Sequence, residues 1–196
     1  MNITAIEDRR SIRKFKPDAV PEDMLRKILE AARIAPSAMN AQPWRYLVLG
    51  EHSREAALSA MDAGLRQRMS DADESQRKGI AGAIHTLRIM KSAPALVLIL
   101  RPDGTPPESA IGGMERAVEL MYAMSVGASV ENMLLEAQSM GLGTLWIGYT
   151  FYAYEEIVTA LDLKGQLLGA VAVGYPDEEP APRPRKAFEE IAEFLP

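Results

Sequence analysis

The sequence predicts a domain of mixed helix and sheet, and three observations carry that expectation. Short apolar runs bounded by proline and glycine read as buried strands, and longer stretches repeat their apolar residues every three or four positions. No internal repeat and no shift in composition divides the chain, so residues 1–196 are expected to form one unit. At 21.5 kDa such a unit would bury about 70% of its unfolded surface, leaving roughly 9,000 Å² in contact with water. Apolar residues make up 47% and charged residues 25%, which excludes a disordered or fibrous chain.

The elements follow in order. The opening segment ends in RRSIRKF, and Pro17 breaks any helix it forms. From Pro21, Met24, Leu25, Ile28, Leu29, Ala32 and Ile34 recur near helical spacing with Glu22 and Asp23 in the first turn, which predicts a helix that stops before Pro36. PSAMNAQPW then reads as a loop into a strand over residues 44–50. Residues 51–92 are helical and polar, with a surface loop expected around SDADESQRKG. PALVLIL, residues 94–100, is a buried strand, and RPDGTPPES a turn. A long helix from Met114 to Met140, about 40 Å at 1.5 Å per residue, is apolar almost all round. Gly141 caps it in a left-handed conformation, GLGTLWIGY supplies a third strand, a helix covers residues 152–161, and LLGAVAVGY, residues 167–175, is a fourth strand before a proline-rich tail.

Charge and composition remove several functions. Twenty-two basic against 27 acidic residues leave a net charge of -5, so no general attraction to nucleic acid or acidic lipid is expected. There is no cysteine, and His52 and His85 are the only histidines, which excludes thiol chemistry, thiolate metal sites and multi-histidine sites. The start carries charges where a signal peptide needs an apolar stretch, and no segment offers a membrane span, so a cytoplasmic protein is expected. GLGTLWIG has its third glycine one place late and runs helix to strand, opposite to the dinucleotide fingerprint. Redox chemistry would therefore have to come from an organic cofactor.

Arginine placement is the strongest chemical signal. Arg9, Arg10, Arg13, Lys14 and Lys16 cluster near the start, and Arg183, Arg185 and Lys186 in the tail, with no acid among the latter. Guanidinium forks match phosphate oxygens in pairs, and Ser11 adds a hydroxyl, so one phosphate gripped by both clusters is one reading; solvated charge runs are the other. In the loop, Ser37, Asn40 and Gln42 suit either a planar polar ring or an ordinary turn.

RRSIRKF, APSAMNAQPW, NMLLEAQSMGLGTLWIG and VGYPDEEPAPRPRK together resemble, in order and spacing, the nitroreductase family of flavin-dependent oxidoreductases. The resemblance implies an α+β fold with a central, mostly antiparallel sheet flanked by helices, and a homodimer with one FMN at each of two subunit interfaces. It implies that Arg9, Arg10, Ser11 and Arg13 bind the phosphate, ribityl chain and pyrimidine edge, and that Arg183 and Arg185 complete the phosphate site. Pro36, Ser37, Asn40 and Gln42 resemble the loop reaching the partner's flavin. Trp146, Ile147 and Gly148 match the strand end against the ring, and the long helix becomes both interface and core. A basic residue ahead of the second strand contacts the flavin in one branch; Arg88 is the nearest match and His85 a weaker one. Gly148 stands where that branch carries a glutamate.

The activity so implied is reduction of nitroaromatic, quinone or similar small electron-poor acceptors by NADH or NADPH in ping-pong fashion. Flavin N5 carries the chemistry and no side chain is a nucleophile; Arg13 has an electrostatic role, and residues 60–80 and 101–113 select the acceptor. A flavin-binding sensor or carrier without turnover, or a relative that dehalogenates reductively or oxidises its substrate, is the alternative.

Overall fold

The computed structural model describes residues 4–195. Its centre is a four-stranded sheet of β1 (Arg45–Val48), β2 (Ala95–Arg101), β3 (Gly143–Ile147) and β4 (Gln166–Gly174) in the order β1-β2-β4-β3, every pair antiparallel. All seven residues of β2 are buried, because helices cover both faces of the sheet. This explains why β2 and β4 are continuous apolar runs without alternation.

Six α-helices surround the sheet among the described residues: α1 (Thr4–Asp8), α2 (Glu22–Arg33), α3 (Glu51–Asp71), α4 (Glu74–Ser92), α5 (Gly113–Ser139) and α6 (Tyr154–Ala160). One face packs Met61 and Leu65 of α3, Leu87 of α4 and Ile157 of α6 on Leu98 and Leu167. The other packs Ile28 of α2 and Val130 and Met133 of α5 on Ile99 and Val171. Each of these side chains is at most 3% exposed, so the two layers are dry and the sheet between them is held rigidly.

Local chemistry sets the boundaries. Between α3 and α4 the chain leaves helical geometry only at Ala72 and Asp73, far less than the loop expected there. Asp73 accepts from the Gln76 amide at 3.0 Å and Gln76 accepts from the Asp73 amide at 3.2 Å, a capping box that restarts the helix at once. Gly141 ends α5 at φ 75, as expected of a left-handed cap. The expected helix over 152–161 is divided into a 3-10 turn, Tyr149–Ala153, and the shorter α6. α1 stops at Asp8, well before Pro17, because the intervening chain is extended between β3 and the tail.

The chain exposes 11,836 Å², roughly 30% more than the area scaling gives for its mass. Part of the excess is the first half of α5, where Met114, Leu120 and Met124 are 79%, 58% and 67% exposed. The second half of the same helix is core.

β1 is tied to both helices of the second layer through one hydroxyl chain. Ser129 Oγ donates to the Ala32 carbonyl at 2.5 Å, which leaves it to accept from Tyr46 Oη at 2.7 Å. Burial pushes the Tyr46 phenol from 10 up to about 12. Because the folded state disfavours the phenolate, this contribution is full below the unfolded value and is lost as pH rises between 10 and about 12. Tyr46→Phe is expected to cost about 1 kcal/mol at pH 8 and to flatten the alkaline fall in stability, as read from urea unfolding of both proteins across that range.

Candidate functional site

The site begins where the chain's two ends run side by side. Residues 11–16 lie between β3 and the tail: the Ile12 amide donates to Thr144 O at 2.9 Å, Lys16 to Tyr175 O at 2.9 Å, and Asp177 to Lys14 O at 3.0 Å. Gly143 makes the first of these close approaches feasible, since a Cβ there would stand 2.7 Å from Ile12 Cγ1. Glu178 Oε1 completes the junction by accepting from the Arg13 and Lys14 amides at 2.5 and 3.1 Å. Ile12 and Phe15 are buried, so the strip is anchored by apolar contact as well as by hydrogen bonds.

This pairing brings both arginine clusters to one cleft. Arg9, Arg10, Ser11 and Arg13 line one side and Arg183 and Arg185 the other of a cavity of about 280 Å³, with Pro180–Pro182 between them. Arg9 has Glu131 Oε1 3.3 Å from its Nε, yet that nitrogen is buried without a hydrogen bond. Arg10 donates to the Glu7 and Arg9 carbonyls, and Arg13 to the Ser11 carbonyl. Among the described residues no carboxylate lies within 4.0 Å of the Arg10, Arg13, Arg183 or Arg185 guanidinium. In a chain of net charge -5, four cations without carboxylate partners around one cleft create a local anion site.

Arg13 also borders a second, more apolar chamber of about 530 Å³. Its walls are Trp146, Ile147 and Gly148 at the end of β3, the aromatic run Tyr149, Phe151 and Tyr152, and Gly82, His85, Thr86 and Ile89 from one face of α4. Trp146 is 45% exposed although it sits at the end of a buried strand; it borders the chamber, while its indole ring lies beside Gly127 of α5. A third cavity of about 630 Å³ lies beyond Phe151 and Tyr152, bordered by Arg68, Asp71, Gln76, Ile80 and Glu108. The segments 60–80 and 101–113 thus supply most of its walls.

Pro36, Ser37, Asn40 and Gln42 border neither of the first two cavities of their own chain. Their loop is held on α5, with the Ala38 amide donating to Ser125 Oγ at 3.1 Å, and it is internally fixed by the Gln42 amide on Ser37 Oγ at 2.9 Å. Met39, Asn40 and Gln42 have φ values of 54, 53 and 48, and all three are exposed. Arg88 is exposed and borders neither cavity, whereas His85, one turn earlier, lines the chamber. Sequence reading missed Tyr149, Phe151, Tyr152, Gly82 and Thr86; three aromatics within five residues of a strand end were the available signal.

An antiparallel α+β sheet that presents a cationic cleft continuous, through Arg13, with an aromatic chamber defines a domain built for an anionic ligand carrying a flat ring. The chain belongs to the Nitroreductase family, whose model matches residues 6–175, and membership makes it an oxidoreductase. A Thermus thermophilus protein named NADH dehydrogenase is 30% identical over 204 aligned positions, covering 96% of this chain and 93% of its own. A BluB-like flavoprotein from Clostridium difficile superposes with a TM-score of 0.82 at 25% identity over 100% of both chains. A Desulfovibrio desulfuricans protein described as a nitroreductase, solved in complex with FMN, gives 0.73 at 25% identity, covering 99% of this chain and 97% of its own.

Because Glu178 joins the tail to the arginine strip through two amides, Glu178→Ala is expected to speed hydrogen exchange at Arg13 and Lys14 while Ile12, bonded to Thr144, stays protected. Amide exchange followed by NMR checks this, and equal acceleration at all three would mean that the strip moves as a whole.

Proposed function

We propose that the protein is an FMN-dependent oxidoreductase that uses NADH or NADPH to reduce small electron-poor acceptors, nitroaromatics and quinones among them. The observation that carries this reading is the convergence of Arg9, Arg10, Arg13, Arg183 and Arg185 on one cleft, four of them without a carboxylate partner and the fifth with a buried, unbonded Nε. A phosphomonoester satisfies those donors, and the adjoining chamber has the flat, aromatic wall that a ring system needs. Relatives described as an NADH dehydrogenase and as an FMN-bound nitroreductase support the same cofactor and donor here.

In this reading Arg9, Arg10, Ser11, Arg183 and Arg185 hold the phosphate and ribityl chain. Trp146, Ile147 and Gly148 lie against the ring, and Gly148, with nothing within 4 Å of a would-be Cβ, leaves its face open. Bound there, FMN supplies two-electron transfer between the reduced nicotinamide and the acceptor. Arg13, at the junction of the two cavities, places a permanent positive charge at the ring's pyrimidine edge, where reduction adds negative charge. Of the two basic residues on α4, His85 rather than Arg88 faces the chamber, and we give it the basic contact. With one chamber for both partners, the nicotinamide leaves before the acceptor binds, and ping-pong kinetics follow. The balance is one NAD(P)H, one proton and one quinone to NAD(P)+ and hydroquinone.

We further propose that the chain works as one flavin-binding unit within a homodimer. The excess surface, the exposed half of α5 and the Pro36–Gln42 loop beside it form one face, and pairing across it carries Ser37, Asn40 and Gln42 to the partner's cleft. The reaction is placed in the cytoplasm, where reduced nicotinamides are formed. Among the described residues no helix is long and apolar enough to cross a membrane.

The protein is expected to purify yellow, as a dimer by sedimentation, and to consume NADH or NADPH when a quinone is added. A flavin-bound protein with no turnover would instead make it a sensor or carrier. Arg9→Ala with Arg185→Ala is expected to weaken FMN binding by about ten-fold or more per arginine, while Arg26→Ala with Lys27→Ala on α2 leaves it unchanged, by fluorescence titration. Arg13→Leu is expected to lower the flavin reduction potential in a potentiometric titration.

A further inference from the structure

Two residues, Phe151 and Tyr152, border both the ring chamber and the third cavity. They are the wall between two spaces of about 530 and 630 Å³. Of the two, Tyr152 has its position defined by its neighbours. Its hydroxyl lies so close to Gly79 on α4 that any Cβ there would collide with it, and the Tyr149 hydroxyl is seated in the same way on Gly82, 2.6 Å from where a Cβ would stand. The two tyrosine rings contact each other at 5.7 Å between centroids, inclined by 43°. Tyr152 in the partition, braced by Tyr149 on the chamber side, therefore leans on α4 through two glycines three residues apart, on one face of the helix. Gly79 and Gly82 cost helix propensity where alanine would be preferred, which fits glycines retained for the clearance they give.

We infer that Tyr152 is the residue that fixes the size of acceptor: it closes the ring chamber against the third cavity, so the wild-type protein selects compact planar acceptors and turns away larger polycyclic ones. This rests on the oxidoreductase reading, and it adds a specificity-determining residue that the cofactor site itself does not require. The clearance at Gly79 makes the partition adjustable from outside the chamber. A methyl group on α4 displaces the ring by its hydroxyl, and removing that hydroxyl cancels the displacement.

The test uses the FMN-loaded protein with two acceptors, a one-ring benzoquinone and a three-ring quinone. Tyr152→Ala is expected to raise the ratio of kcat/KM for the large over the small quinone by about ten-fold or more. The same variant, oxidised and without donor, is expected to bind the three-ring quinone correspondingly tighter by calorimetry, a readout independent of turnover. Gly79→Ala is expected to change the wild-type ratio, and Gly79→Ala with Tyr152→Phe to restore it, whereas Tyr152→Phe alone keeps it. Should the benzoquinone be reduced but neither ratio nor affinity move in Tyr152→Ala, or should Tyr152→Phe fail to rescue Gly79→Ala, Tyr152 is not the partition. No reduction of either quinone by the wild-type protein, in contrast, would overturn the oxidoreductase reading. The Gly79 pair keeps the inference open to refutation even if Tyr152→Ala does not fold.

Discussion

The pairing of residues 11–16 with β3 on one side and with the tail on the other is the constraint on which the site depends. Neither arginine cluster can form the cleft alone. The first runs from the end of α1, where the Arg9 amide donates to the Ala5 carbonyl, into an extended strip, and the second lies in a proline-rich stretch with no regular structure. Four backbone-level contacts, from Ile12 to Thr144, Lys16 to Tyr175, Asp177 to Lys14 and Glu178 to two amides, settle their positions. Because the strip makes these contacts through its own backbone amides and carbonyls, none of them occupies the guanidinium groups of Arg9, Arg10 and Arg13, which line the cleft.

The sheet makes that arrangement precise enough to be useful. With both faces covered, β3 and β4 cannot shift register without moving core side chains between layers. The end of β3 therefore presents Ile147 and Gly148 to the chamber from a fixed base, while the residues just beyond it form a 3-10 turn rather than a longer strand. The chemistry proposed for the site asks little of acid or base groups and much of charge placement, and a rigid sheet end beside fixed arginines meets that demand.

Much of this was legible in the residues themselves. Continuous apolar runs gave away β2 and β4 because burial on both sides removes the alternation of polar and apolar positions, and Gly141 marked the end of α5 because only its backbone conformation suits that cap. The convergence of the arginines was open on sequence alone, since residues some 170 positions apart leave no local pattern; the expectation came from the resemblance to a family, and in the fold both clusters line one cleft. What stayed hidden was decided by tertiary contact. The extended strip replaced helix because β3 and the tail offered its amides partners, and His85 borders the chamber in place of Arg88 because α4 turns its own Leu87 and Met90 into the core and leaves Arg88 exposed.

A junction between segments so distant in the chain also dictates when the cleft can exist during folding. Closing a loop that encloses nearly the whole protein is entropically costly until the intervening sheet and helices have brought its ends near each other, so the anion site is among the last features to appear. A ligand that needs both arginine clusters cannot template the early events; it acts afterwards, by mass action on the finished molecule.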